Sequence, residues 1–135
     1  MSPDRDLRNP RSWMRRAKSS LARARALAGV PDVVFEDLCF DAQQAAEKAL
    51  EAVLVQRRVA FPKTHALAEL LTLVGKAGID VPPEIAEATL LTPYAVEARY
   101  PGLWEDVTDA DHAEALRVAE RVVQWAAEVI GGSDS

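Results

Sequence analysis

Two stretches of this chain repeat their apolar residues every three to four positions for four turns or more at a time. Phe35, Leu38, Cys39, Ala42, Ala46, Ala49, Leu50 and Val53 line one side of the first. Leu116, Ala119, Val123, Ala127 and Ile130 line the second, with Val118, Val122, Trp125 and Val129 nearly opposite. That period belongs to α-helices. No run alternates apolar and polar residues as a half-buried strand does. The pattern predicts an all-α, up-and-down bundle of four to five helices, and 135 residues suit one such domain.

The boundaries follow from punctuation. Residues 1–10 are polar, contain two prolines and read as a flexible arm. Residues 11–131 read as the bundle, and 132–135 as a polar tail. The first helix is expected from Arg11 to Ala28 on a Trp13, Ala17, Leu21, Ala24, Ala28 stripe, closed by Gly29. The second is expected from Asp32 to Val59 and the third from His65 to Lys76, with Thr64 as its N-cap. A fourth opens near Glu84 after Pro82-Pro83 and is kinked or restarted at Thr92-Pro93. The fifth starts near Thr108, where Thr108 and Asp111 resemble a capping box, and stops at Gly131-Gly132. Apolar on two sides, it is expected to lie centrally or under a partner.

A net charge of −5 conceals a division. Residues 1–30 carry eight Lys/Arg against two Asp/Glu, whereas the rest carries eight against nineteen. An acidic total therefore leaves room for a basic surface on the first helix. The single cysteine, Cys39, precludes an internal disulfide. Without CxxC or Cys/His clusters, no metal and no cofactor is expected. No secretory leader or membrane-length apolar run is visible, so a cytoplasmic protein with no membrane partner is expected.

One sector of the second helix does not fit its apolar face. Phe40 lies about 140° from Phe35 on a straight helix. Gln43, Gln44, Glu47 and Glu51 share its side, and Arg58 falls there five turns on. An aromatic ring among amides and carboxylates reads as a surface covered by something else. Phe40, Gln43, Gln44 and Glu47 are therefore candidate dimer-interface residues.

QRRVAFPKTHALAELL, residues 56–71, joins helices two and three. Arg58 and His65 are a candidate pair there. A histidine at a helix N-terminus is expected to be neutral, as a general base requires. An arginine can hold two phosphate oxygens at once. Spacing alone also allows ordinary punctuation, because an arginine complements a helix C-terminus. His112, in the first turn of helix five, reads as surface.

Three blocks carry a family resemblance: QQAAEKAL (43–50), FPKTHALAELL (61–71) and YAVEARYP (94–101). In this order they resemble the HEPN family over about residues 13–130. The resemblance implies a dimerising helical bundle, often encoded beside a small nucleotidyltransferase. Many members are metal-independent ribonucleases, including toxins of toxin–antitoxin pairs. Others are non-catalytic nucleotide-binding or interaction modules. Catalytic members carry an Arg, then about four to six residues, then a His; Arg58 and His65 match with six between. The residue after that Arg is usually polar, and here it is Val59. One toxin subgroup has a modified Tyr two residues after the His, where this chain has Leu67.

On this resemblance Arg58 and His65 are the candidate catalytic residues. Arg57, Lys63, Thr64, Tyr94, Glu97, Arg99 and Tyr100 are candidates for binding RNA or nucleotide or for lining the cleft. The expected partners are a second copy, RNA or a nucleotide, and a nucleotidyltransferase.

Overall fold

The computed structural model describes residues 7–95 and 107–133. Five α-helices and a 3₁₀ segment follow one another: α1 Pro10–Ala26, α2 Phe35–Gln56, α3 Leu67–Lys76, α4 Pro83–Ala86, the 3₁₀ segment Glu87–Ala95, and α5 Asp109–Ser133. Among the described residues there is no strand, and no helix is long and apolar enough to cross a membrane.

Two of the helices begin where the sequence gives first-turn N–H groups a side-chain acceptor. Asn9 accepts from Arg11 N at 3.0 Å, with Pro10 in the first helical position, where a missing N–H costs nothing. At α5 the capping box forms in full: Thr108 N donates to Asp111 Oδ2 at 2.9 Å, and Asp111 N to Thr108 Oγ1 at 3.2 Å. The expected break at Pro93 takes a different form. After one turn of α4 the chain tightens into 3₁₀ geometry and carries Pro93 inside it. Proline has no N–H to give that ladder, so one of its bonds is missing there. Gly131 and Gly132 do not stop α5, which ends at Ser133.

The bundle is built around α2. Ala42, Ala45, Ala46, Ala49 and Ala52 are all fully buried, as are Leu38, Leu50, Val53 and Leu54. Short side chains on several faces let α1 and α5 approach α2 closely. The leucines supply most of the apolar area, each about 1.5–3 kcal/mol on burial. α1 runs antiparallel to α2, as the Arg23–Asp41 ion pair and the Lys48–Trp13 contact at opposite ends require. α5 runs parallel to α2, pinned by His112 against Phe35 at one end and by Gln56 Nε2 donating to Ile130 O at the other. Both apolar stripes of α5 pack inward, while Glu114, Arg117, Arg121, Gln124 and Glu128 stay outside.

Three expectations are corrected. His112 is not a surface residue. It is 7% exposed, and its Nε2–H donates to Ala24 O at 2.8 Å, capping a carbonyl in the last turn of α1. On α1, Met14 is buried, whereas Ala28 lies beyond the helix and is exposed. On α2, Gln43 (0% exposed) and Glu47 (3%) are covered by their own subunit, so neither is available to a dimer interface. Phe40 and Gln44 are half-buried.

Candidate functional site

The connection between α2 and α3 owes its shape to how α2 ends. Val59 N donates to Leu54 O at 2.9 Å, and Arg58 N to Val55 O at 3.1 Å. This is the Schellman arrangement, in which the residue after the cap adopts left-handed backbone. Here that residue is Arg58, with φ +58°. The same chain closes α3 with the same pair of bonds, Ile79 N to Val74 O and Gly78 N to Gly75 O. There the left-handed position is glycine, Gly78 at φ +88°. A side chain in this conformation costs about 1–2 kcal/mol relative to right-handed backbone. Helix termination alone therefore favours glycine at position 58.

Because α2 stops at Gln56, Arg58 does not continue the Phe40–Glu47 sector, and the five-turn extrapolation fails. The guanidinium is instead turned out on the connection. Among the described residues it has no carboxylate or hydrogen-bond partner, and Arg57 beside it is exposed as well. Val59, where a polar residue was expected, packs on the core. That is the apolar contact which accompanies a Schellman ending.

His65 is also placed differently from its expectation. The N-cap of α3 is Ala66, so His65 precedes the helix and is outside its first turn. Thr64 does not cap the helix; its Oγ1 accepts from Ala66 N at 3.0 Å and tightens the approach. Leu67 N is satisfied by Thr92 Oγ1 at 3.3 Å, which ties the 3₁₀ segment to the start of α3.

What holds His65 is a carboxylate. Its Nδ1 lies 2.7 Å from Glu47 Oε1, and the imidazole is half-exposed while Glu47 is buried. The same Oε1 accepts from Gln43 Nε2 at 3.0 Å, and Gln43 Oε1 accepts from Gln44 Nε2 at 2.7 Å. Lys48 Nζ stands 3.6 Å from Glu47 Oε2. An ionised carboxylate only accepts, so the proton of a neutral imidazole sits on Nδ1. Nε2 is left as the acceptor, on the solvent side. This chain of donors fixes both the tautomer and the ring's orientation. Glu47, which the sequence placed at a dimer interface, is the residue that orients the His65 ring.

One turn further along α2, Glu51 is 5% exposed, and the one cation near its Oε1 among the described residues is Lys48 Nζ, at a long 3.5 Å. Burial pushes its carboxyl up to about 7 from 4.5; Lys48 opposes the shift, and Glu47 adds to it. The folded pKa is raised, so the native state binds the proton more tightly than the unfolded chain. Stability then falls as pH rises from about 4.5 to about 7 and stays lowered above. Glu51→Gln should remove that slope. Allowing for solvent screening, we expect a gain on the order of 2 kcal/mol at pH 8 and little change at pH 4.5. Urea melts at the two pH values measure it, and equal gains at both would contradict this account.

The remaining candidates separate. Lys63 is exposed on the same connection. Tyr94 lines a cavity of about 200 Å³ with Leu90, Asp111 and Glu114, against the first turns of α5. Those turns sit beside the C-terminal end of α1. Glu97, Arg99 and Tyr100 lie outside the described residues. Leu67, where a modifiable tyrosine would stand, is fully buried.

The HEPN domain model matches residues 10–130, nearly the whole chain. The chain belongs to the HEPN domain family. Two solved structures share this HEPN fold. One is TT1696 from Thermus thermophilus, 29% identical, with a TM-score of 0.76 over 89% of this chain and 97% of that one. The other is ST0689, an archaeal HEPN homologue, 26% identical, with a TM-score of 0.70 over 90% of this chain and 98% of that one. No curated protein matches this HEPN chain.

Proposed function

We propose that this HEPN protein is a metal-independent endoribonuclease that works as a homodimer, with His65 as general base and Arg58 as the cation facing the phosphate. The observation that carries the proposal is the 2.7 Å bond between Glu47 Oε1 and His65 Nδ1, which leaves Nε2 basic and outward. His65 Nε2 takes the proton of a ribose 2′-hydroxyl. The 2′-oxygen forms a bond to phosphorus, and the bond from phosphorus to the 5′-oxygen breaks. The leaving oxygen takes a proton from water. The products are a 2′,3′-cyclic phosphate and a 5′-hydroxyl end. Arg58 donates two parallel N–H groups to the non-bridging oxygens as negative charge builds on them. An arginine kept in a left-handed position that glycine fills at α3 is the second support.

A two-fold pairing of the exposed α2–α3 connections would place two Arg58 and two His65 side chains along one cleft. Its rim would carry Arg57 and Lys63, suited to a phosphate chain. Val59 favours the alternative: a non-catalytic nucleotide-binding or interaction module that docks on a small nucleotidyltransferase.

The two readings part in one assay. Incubated with RNA in EDTA, the protein should release fragments ending in cyclic phosphate. His65→Ala should lower the rate by about 10²–10⁴-fold with an unchanged melting curve. The active species should sediment as a dimer. Intact RNA after incubation, or cleavage that survives the substitution, would reject the catalytic reading. A nucleotidyltransferase retained by the His65→Ala protein would then support docking.

A further inference from the structure

We infer that a shallow pocket walled by Trp13, Arg16 and Lys48 is a second subsite for the same RNA strand, holding a nucleotide beyond the scissile phosphate. It rests on the RNA reading above. The pocket encloses about 180 Å³ and is completed by Leu7 and Ser12. That is below the ~300 Å³ at which sites for free small molecules begin. The pocket therefore suits one unit of a longer chain, held in place by its neighbours.

The walls have the chemistry that single-stranded nucleic acid requires. Trp13 Nε1 donates to Leu7 O at 2.9 Å, which spends the indole's only donor and fixes the ring. Its plane is also braced by Phe61, edge-on at 5.7 Å. Lys48 Nζ stands 5.4 Å from the ring centroid, so the ring and a cation already share one wall. A base stacks on an indole whatever its identity, while cations hold the adjoining phosphate.

Some of the charge on α1 is satisfied within the subunit and some is not. Arg23 and Arg25, towards its C-terminus, are neutralised by Asp41 and Glu120, each at 2.9 Å. Arg16 and Lys18 have no carboxylate partner among the described residues. The first turn of α1 holds no acidic residue, so its dipole adds to the positive field instead of being offset.

The subsite is contiguous with the proposed base. Phe61, which braces Trp13, lies on the connection that carries Arg58 and His65. Lys48 reaches Glu47 at 3.6 Å, and Glu47 holds His65 at 2.7 Å. One carboxylate thus separates the pocket wall from the imidazole.

The test is made on the full chain with Arg16→Ala, since Arg16 is exposed and its loss leaves the core intact. Binding of a fluorescent ten-nucleotide RNA is followed in a His65→Ala background. Arg16→Ala should weaken it by about fivefold at 0.1 M salt and reduce the log–log salt slope by about 0.7. In the otherwise native protein, cleavage of a dinucleoside monophosphate, too short to reach the pocket, should not change. Unaltered affinity and slope would overturn the subsite while the RNA reading stands. Weakened binding with no cleavage by the native protein would keep the subsite and remove the nuclease. No binding of the oligonucleotide by any form would overturn both.

Discussion

Arg58→Gly is expected to give a more stable and inactive protein. Glycine adopts the left-handed backbone of position 58 without the roughly 1–2 kcal/mol that a side chain costs there. Its greater freedom in the unfolded chain returns about 0.5–1 kcal/mol of that. The net should be a gain of about 0.5–1 kcal/mol, or roughly 2–4 °C in Tm for a chain of this size. Activity should fall about 10²–10³-fold, as when a preorganised charge facing a developing oxyanion is removed. Arg58→Lys separates the two effects. It keeps the strained backbone and one positive charge but loses the paired N–H groups, so stability stays native while activity drops. Thermal melts and cleavage rates on the three proteins decide the matter. If Arg58→Gly melts lower than the native chain, the arginine is there to end a helix.

Substitutions at Glu47 should produce a graded loss. Glu47→Gln can leave an amide oxygen where Oε1 accepts from His65 and Gln43, so the tautomer survives while the charge that stabilises an imidazolium is gone. Glu47→Leu removes both. Rates should fall modestly for Gln and by about 10²–10³-fold for Leu, chiefly in kcat, because neither residue touches substrate. The Leu protein should remain folded, since the two cationic or imidazole partners it leaves behind, Lys48 and His65, keep access to solvent. The orphaned Gln43 amide is the main cost. Full activity in Glu47→Leu would mean that His65 is oriented by something else, and the mechanism above would lose its anchor.

These two residues show where sequence reasoning stopped. For Arg58 the sequence held the residue and its distance to His65, but not its backbone. That conformation follows from where α2 ends, and α2 ends three residues before the periodicity suggested, once Val59 finds an apolar seat. For Glu47 the sequence held a clear anomaly, a polar sector on a helix whose core face is apolar. The periodicity says which residues share a side. It does not say whether solvent, a second subunit or a neighbouring loop covers that side. The outward reading placed Gln43 and Glu47 at a dimer interface, and the structure buries them under the loop that carries His65. His112 failed for the same reason: a polar residue in a first turn looks exposed until the end of another helix is set against it.

The sequence by itself determined the helical class, the order of the elements and most of the inward faces. Those depend on a 3.6-residue repeat and on caps only a few residues long, such as Asn9 and the Thr108–Asp111 pair. It also held the three blocks that mark the family. Only the tertiary structure decided which helix is central, how α2 ends and what orients the histidine. Those outcomes depend on contacts between residues far apart in the chain: Glu47 with His65, Ala24 with His112, Trp13 with Phe61. A burial pattern is written locally, but the identity of whatever does the burying is settled only when the helices pack.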